Sequence, residues 1–200
     1  TMGRDIWTRV WRGTGMSLLI AFAAVLVDLV IGTVYGAVCG WYGGKTDLIL
    51  MRICEVVRTI PNVVVCTLMI LLLGNGTGTM ILALACRGWT GTAELVRAQF
   101  LRFRNRVYVL AAKGMGAGDL RLMGRHILPN AAGPIITHAV MAVPSAVFAE
   151  AFLSYIGLGV PAPEPSLGSL LSEAQSVLGL YPSQTLFPAL VISLLMIAFH

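Results

Sequence analysis

Residues 16–40 read MSLLIAFAAVLVDLVIGTVYGAVCG, a run in which Asp28 is the only charged side chain. A helix of that length rises about 37 Å, enough to cross a hydrocarbon core of about 30 Å with some tilt. The composition of the whole chain agrees with that reading. Of its 200 residues 57% are hydrophobic and only 12% charged, with a mean hydropathy of +0.83; soluble domains are about 45–50% apolar and about 25% charged. An ordinary soluble domain is excluded, and so is a disordered chain, which would be poor in apolar residues. The implied solvent is lipid.

Working outward, four more apolar stretches follow, at residues 53–73, 79–95 and 131–156, and from Ser183 to His200. The second span is entered through Arg52, Glu55, Arg58 and Pro61, the third carries Arg87, and the fourth holds Pro134 and Pro144 as expected kinks. Ahead of the first, residues 1–15 contain Arg4, Arg9 and Arg12, and Ile6, Val10, Trp7 and Trp11 can share a face. That pattern predicts a short helix lying in the membrane interface. The expected architecture is all-α: a polytopic membrane helix bundle with about five transmembrane helices in residues 16–200, behind an interfacial segment, 1–15. Thr1 is not an initiator and no signal peptide is visible, so the sequence reads as an excised or processed fragment.

Charge supplies an orientation. Arg97, Arg102, Arg104, Arg106, Lys113, Arg121 and Arg125 face only Glu94 and Asp119 between residues 94 and 130, which accounts for the formal net charge of +5. Segments 74–78 and 157–182 have no Lys or Arg, while 41–58 holds Lys45, Arg52 and Arg58. Under the positive-inside rule, loops 41–58 and 96–130 lie in the cytoplasm, 74–78 and 157–182 lie outside, and the N-terminus is outside. The three arginines of residues 1–15 oppose that assignment and are outweighed by the loop contrast. Neither zinc spacing nor an RNA-binding signature accompanies the basic cluster, so a nucleic-acid partner is not expected.

Within the basic loop, residues 107–113 and 119–128 read as two short helices, the first ended by glycines and the second by Pro129, joined by a Gly hinge. Together they would form a compact docking knob. Gly32, Gly36 and Gly40 make a flat stripe where another helix can approach closely. Asp28, Arg87 and Glu150 are ionisable residues within spans, costly in lipid; each is expected either to line an aqueous path or to join an ion pair, with one another or with a second subunit. Cys39, Cys54, Cys66 and Cys86 have no metal-ligand spacing and read as buried thiols, and no metal or cofactor is expected. Gly114, Gly116 and Gly118 superficially resemble a dinucleotide loop, but no strand precedes them. Asn75-Gly76-Thr77 fits a glycosylation sequon, a match common by chance.

The segment Tyr108-Val-Leu-Ala-Ala-Lys-Gly-Met-Gly-Ala117, followed by His126-Ile-Leu-Pro-Asn130, resembles the cytoplasmic signature of permease subunits of binding-protein-dependent ABC importers. That signature is Glu-Ala-Ala, three residues, Gly, nine residues, then a hydrophobic residue, any residue and Leu-Pro. Ala111, Ala112, Gly116, Leu128 and Pro129 fall at matching positions, Leu110 replaces the Glu, and His126 stands where the signature has Ile. Gly3-Arg-Asp-Ile-Trp7, Ser154-Tyr-Ile-Gly-Leu-Gly159 and Pro165-Ser-Leu-Gly168 are similar to the second permease of the peptide and nickel group. The resemblance covers essentially the whole chain, and the family implies one further N-terminal span.

The resemblance implies a type I importer permease fold and a subunit forming half of a translocation path for peptides or related solutes, nickel chelates included. It further implies a homologous permease as heterodimer partner, cytoplasmic ATPases docked on the 108–130 segment, an external substrate-binding protein, and a multi-pass place in a bacterial or archaeal inner membrane. ATP hydrolysis would belong to the partners, and no Walker loop is present here. The rival classes are an intramembrane enzyme and a structural scaffold. His138 and Glu150 lie in or near spans, but Gly-x-Ser-x-Gly and His-Glu-x-x-His are both absent.

Overall fold

The computed structural model describes residues 5–161 and 163–199, and every regular element among them is helical. Gly3 and Arg4 of the 3–7 motif and the terminal His200 lie outside the described residues.

Helix α1 runs from Ile6 to Tyr42. Asp5 caps it, its carboxylate accepting the Trp7 backbone N–H at 3.2 Å and the Thr8 hydroxyl at 2.9 Å. No proline interrupts the next 37 residues, so the helix passes through residue 15 without a break, and residues 6–15 are continuous with the first apolar run. It stops at Gly43 and Gly44, whose φ of 65° and 55° are left-handed. α2 (Gly44–Thr59) ends at Ile60, held extended because the following Pro61 disfavours helical geometry before it. α3 (Asn62–Leu73) closes at Gly74, and α4 covers Thr77–Phe103.

α5 (Val107–Gly114) and the single turn α6 (Asp119–Arg121) follow, then a π-helical turn at Leu122–Ile127 that leads into α7 (Leu128–Leu153). The helix therefore continues through Pro129 instead of ending there. Proline lacks an N–H and its ring collides with the carbonyl four residues back, here that of Arg125. Widening the preceding turn to π geometry accommodates both defects. α7 stays helical through Pro134 and Pro144 as well, and π turns flank it at both ends. The second is a π turn at Ser154–Leu158, closed by Gly157 at φ 90°. α8 (Leu167–Gln175) and α9 (Ser183–Phe199) complete the chain.

The apolar stretches correspond to α1, α2 with α3, α4, α7 and α9. Length and apolarity alone single out two membrane-crossing helices among the described residues, Ile6–Tyr42 and the continuous Asp119–Leu158, or three if α2 and α3 form one broken span. Arg87, Glu94 and Arg97 dilute α4, and α9 is a shorter apolar helix.

The chain divides into two compact units. One comprises the residues up to Val25, Pro61–Arg87 and those from Met141 onward. Its core gathers Ile20, Cys66, Ile70, Met80 and Leu153, with a second cluster of Val10, Ala151, Leu167, Leu170 and Ile192. The other comprises Leu26–Ile60 and Gly88–Val140, around Val96, Phe100, Val109, Leu122, Ile127 and Ile135. Cys39, Cys54 and Cys66 are buried, whereas Cys86 is exposed, against the expectation of four buried thiols.

Candidate coupling segment and intramembrane polar sites

The signature residues build one local device in the second unit. Three backbone bonds finish α5: Met115 N–H to Ala111 O, Gly116 N–H to Lys113 O and Ala117 N–H to Ala112 O, each 3.0 Å. The last two are the pair that defines a Schellman motif, with Gly116 at the left-handed position. Its φ of 87° costs an L-residue about 1–2 kcal/mol, which is why glycine belongs there. Ala112 lies at the position whose side chain meets the residue after the glycine, and Ala112 and Ala117 join the same core cluster. The spacing Ala-Ala-x-x-x-Gly thus encodes a helix end and the reversal after it.

Ala112, Val109, Leu122 and Ile127 point into that core. Ala111, Gly116 and Pro129 are exposed, while His126 and Leu128 are half-buried. The His126 carbonyl accepts the Asn130 side-chain amide at 2.6 Å. Val107, Met115 and Leu120 are each 83% exposed, and Leu110, in place of the signature Glu, is 53% exposed. An apolar, outward-facing surface therefore sits within a basic segment.

The glycine stripe is packed against α4 of the same chain. A Cβ on Gly32 would stand 2.5 Å from Thr92 Cβ and 2.6 Å from Trp89 O; on Gly36 it would overlap the Ala93 carbonyl; on Gly40 it would stand 2.5 Å from Phe100 Cβ. The same register puts Asp28 over Gly88, where a Cβ would collide with the carboxylate. Asp28, Gly32, Gly36 and Gly40 thus step along Gly88, Thr92, Val96 and Phe100 at intervals of four, with the two helices parallel. The stripe is filled within the chain, so it supplies no argument for a second subunit.

Sequence reading missed the polar ties around this seam. Arg97 makes a two-pronged pair with Asp47, Arg58 pairs with Glu94, Arg104 donates to Gly40 O at 3.1 Å, and Tyr35 donates to Leu50 O at 2.8 Å. Asp28 is half-buried, and its Oδ1 has no hydrogen-bond partner.

Glu150, in the first unit, is 0% exposed. Its donors are hydroxyls: Ser17 to Oε2 at 2.6 Å and Ser154 to Oε1 at 2.7 Å. Ser17 did not stand out in the sequence, and Ser154 did so only as the start of the 154–159 motif, because the Ser17 contact depends on the tertiary approach of residues 133 positions apart. Arg87, also in this unit, is half-buried on α4.

Among the described residues the chain is all-helical, with apolar helices and a glycine-closed helical reversal on a basic segment, the architecture of a membrane helix bundle. It belongs to the family described as binding-protein-dependent transport system inner membrane component, which matches residues 32–200. It is 42% identical over 199 residues to the oligopeptide transport system permease protein OppC of Bacillus subtilis, covering 100% of this chain and 65% of that protein. To the dipeptide transport system permease protein DppC of the same organism it is 44% identical over 200 residues, covering 100% and 62%. The chain thus spans less than two thirds of the length of these curated relatives. Among solved structures, a chain of the MetNI methionine ABC transporter in an inward-facing conformation superposes with a TM-score of 0.83 at 18% identity, covering 99% of this chain and 94% of that one. A chain of an amino acid ABC transporter crystallised with histidines gives 0.71 at 20% identity, covering 99% and 95%. These two likenesses establish the fold.

Proposed function

We propose that this chain is a permease subunit of an ATP-driven importer of peptides or related solutes, forming half of the translocation path and receiving the motion of ATPase subunits through residues 108–130. The observation that carries the reading is the Gly116-closed reversal with Val107, Leu110, Met115 and Leu120 turned outward from a basic segment. Exposed apolar side chains on a rigid local frame suit a partner's groove. The two Bacillus subtilis relatives named for oligopeptide and dipeptide transport support the substrate class.

In this reading a homologous permease completes the path, each permease engages one ATPase, and a substrate-binding protein delivers solute from outside. The chain is a multi-pass component of a bacterial or archaeal inner membrane, with loop 96–130 cytoplasmic and loop 157–182 external. Family membership favours transport over the intramembrane-enzyme and scaffold readings.

Co-purification tests the reading: the full-length protein should retain an ABC ATPase, and Gly116→Val should weaken that retention by about five- to thirtyfold, because it strains the reversal by about 1–2 kcal/mol, while membrane insertion stays intact. Retention unchanged by Gly116→Val would remove the docking role. A cysteine at the exposed Glu164 should react with an impermeant reagent from outside, and one at the exposed Asn105 should not. The opposite pattern would invert the topology.

A further inference from the structure

We propose that the buried Glu150 carboxyl, relayed by Ser17, anchors the N-terminus of α8 and so positions that helix. The inference goes beyond the importer reading and does not depend on it.

The hydrogen bonds trace the relay. The Leu167 backbone N–H donates to Ser17 Oγ at 3.2 Å. Ser17 Oγ lies 2.6 Å from Glu150 Oε2, and Ser154 Oγ lies 2.7 Å from Oε1. A buried carboxyl without partners is costly, and here two hydroxyls meet it, one of them bound to a helix end.

Leu167 is the first residue of α8, where the backbone N–H groups carry the positive end of the helix dipole. The cap residue Ser166 accepts from Ser169 N–H at 3.2 Å, and Ser169 Oγ accepts from Ser166 N–H at 2.9 Å, a closed capping box. That box leaves the Leu167 N–H to Ser17. Close packing admits the helix end to the site: a Cβ on Gly168 would overlap the Ala151 carbonyl, and one on Gly13 would stand 3.2 Å from Ser166 C and from Leu170 Cδ1.

At its other end α8 is tied by Glu173, which receives Arg9 at 2.9 and 2.7 Å. Those side chains are 24% and 55% exposed, so solvent competes there as it does not at Glu150. α8 therefore lies antiparallel on the first turns of α1, with a dry attachment at Ser17 and a wet one at Arg9.

The test uses the full-length protein in its membrane assembly, in a cysteine-free background with Leu170→Cys as reporter, a position 7% exposed. Ser17→Ala should raise the thiol-labelling rate about tenfold, since it removes the hydroxyl that bridges Glu150 and the Leu167 N–H. Ser17→Thr, which restores a hydroxyl, should return it toward the starting rate. A reporter still protected in Ser17→Ala would overturn the proposal.

Discussion

The two halves of α1 are held in opposite ways. From Asp28 to Gly40 the helix packs closely on α4, through glycine notches already filled by Thr92, Val96, Phe100 and the α4 carbonyls, and by the Asp28 carboxylate over Gly88. From Arg9 to Ser17 it is held by polar side chains that reach out, one ion pair and one buried relay. In a lipid solvent, burying apolar groups drives helix association weakly, so close approach and hydrogen bonding carry the specificity. The second half relies chiefly on glycine notches, the first adds polar ties to one close approach at Gly13, and the two should respond differently to substitution.

The largest effect is expected where backbone meets backbone. Gly36→Leu drives a side chain into the Ala93 carbonyl, neither partner can rotate away, and a loss of about 3 kcal/mol is expected. Thermal unfolding in mild detergent should show a large fall in midpoint. Gly88→Ala should cost about 2 kcal/mol by the same mechanism, but its obstacle is the Asp28 carboxylate. Asp28→Ala should therefore rescue much of the loss, and a double-mutant cycle that comes out additive would break the notch explanation. In the polar half, Arg9→Ala should cost less than about 1 kcal/mol and lose that effect in high salt, as half-exposed pairs do. Smallest of all is Gly15→Ala. Open space surrounds that position, so the change should stabilise α1 by about 0.5 kcal/mol; destabilisation would mean that the close approach at Gly13 extends to Gly15.

Much of this was legible from residue order. Hydropathy located the helical stretches, and Ala111-Ala112 with Gly116 located the reversal after α5, because a helix end is a local matter. The spacing of Gly32, Gly36 and Gly40 announced a close approach but not its partner. Asp47 and Arg97, 50 positions apart, and Ser17 and Glu150, 133 apart, could not be paired from a one-dimensional pattern. The expected break at residue 15 and the expected stop at Pro129 failed for a different reason. Arginines do not end a helix, and a proline ends one only if the turn before it cannot widen.

That widened turn also alters how the segment should be scanned. Leu122 and Ile127 are both fully buried, yet they are five positions apart, a separation that at about 100° per residue would turn them well away from each other on a regular helix. The π turn absorbs the surplus residue and resets the angular phase, so Leu122 falls into line with Ile127, Ala131 and Ile135. Deleting one residue between 122 and 127 would rotate everything upstream, including the Gly116 reversal, by about one residue's angle. The heading of the 108–121 segment is thus set by a residue count as well as by any single side chain.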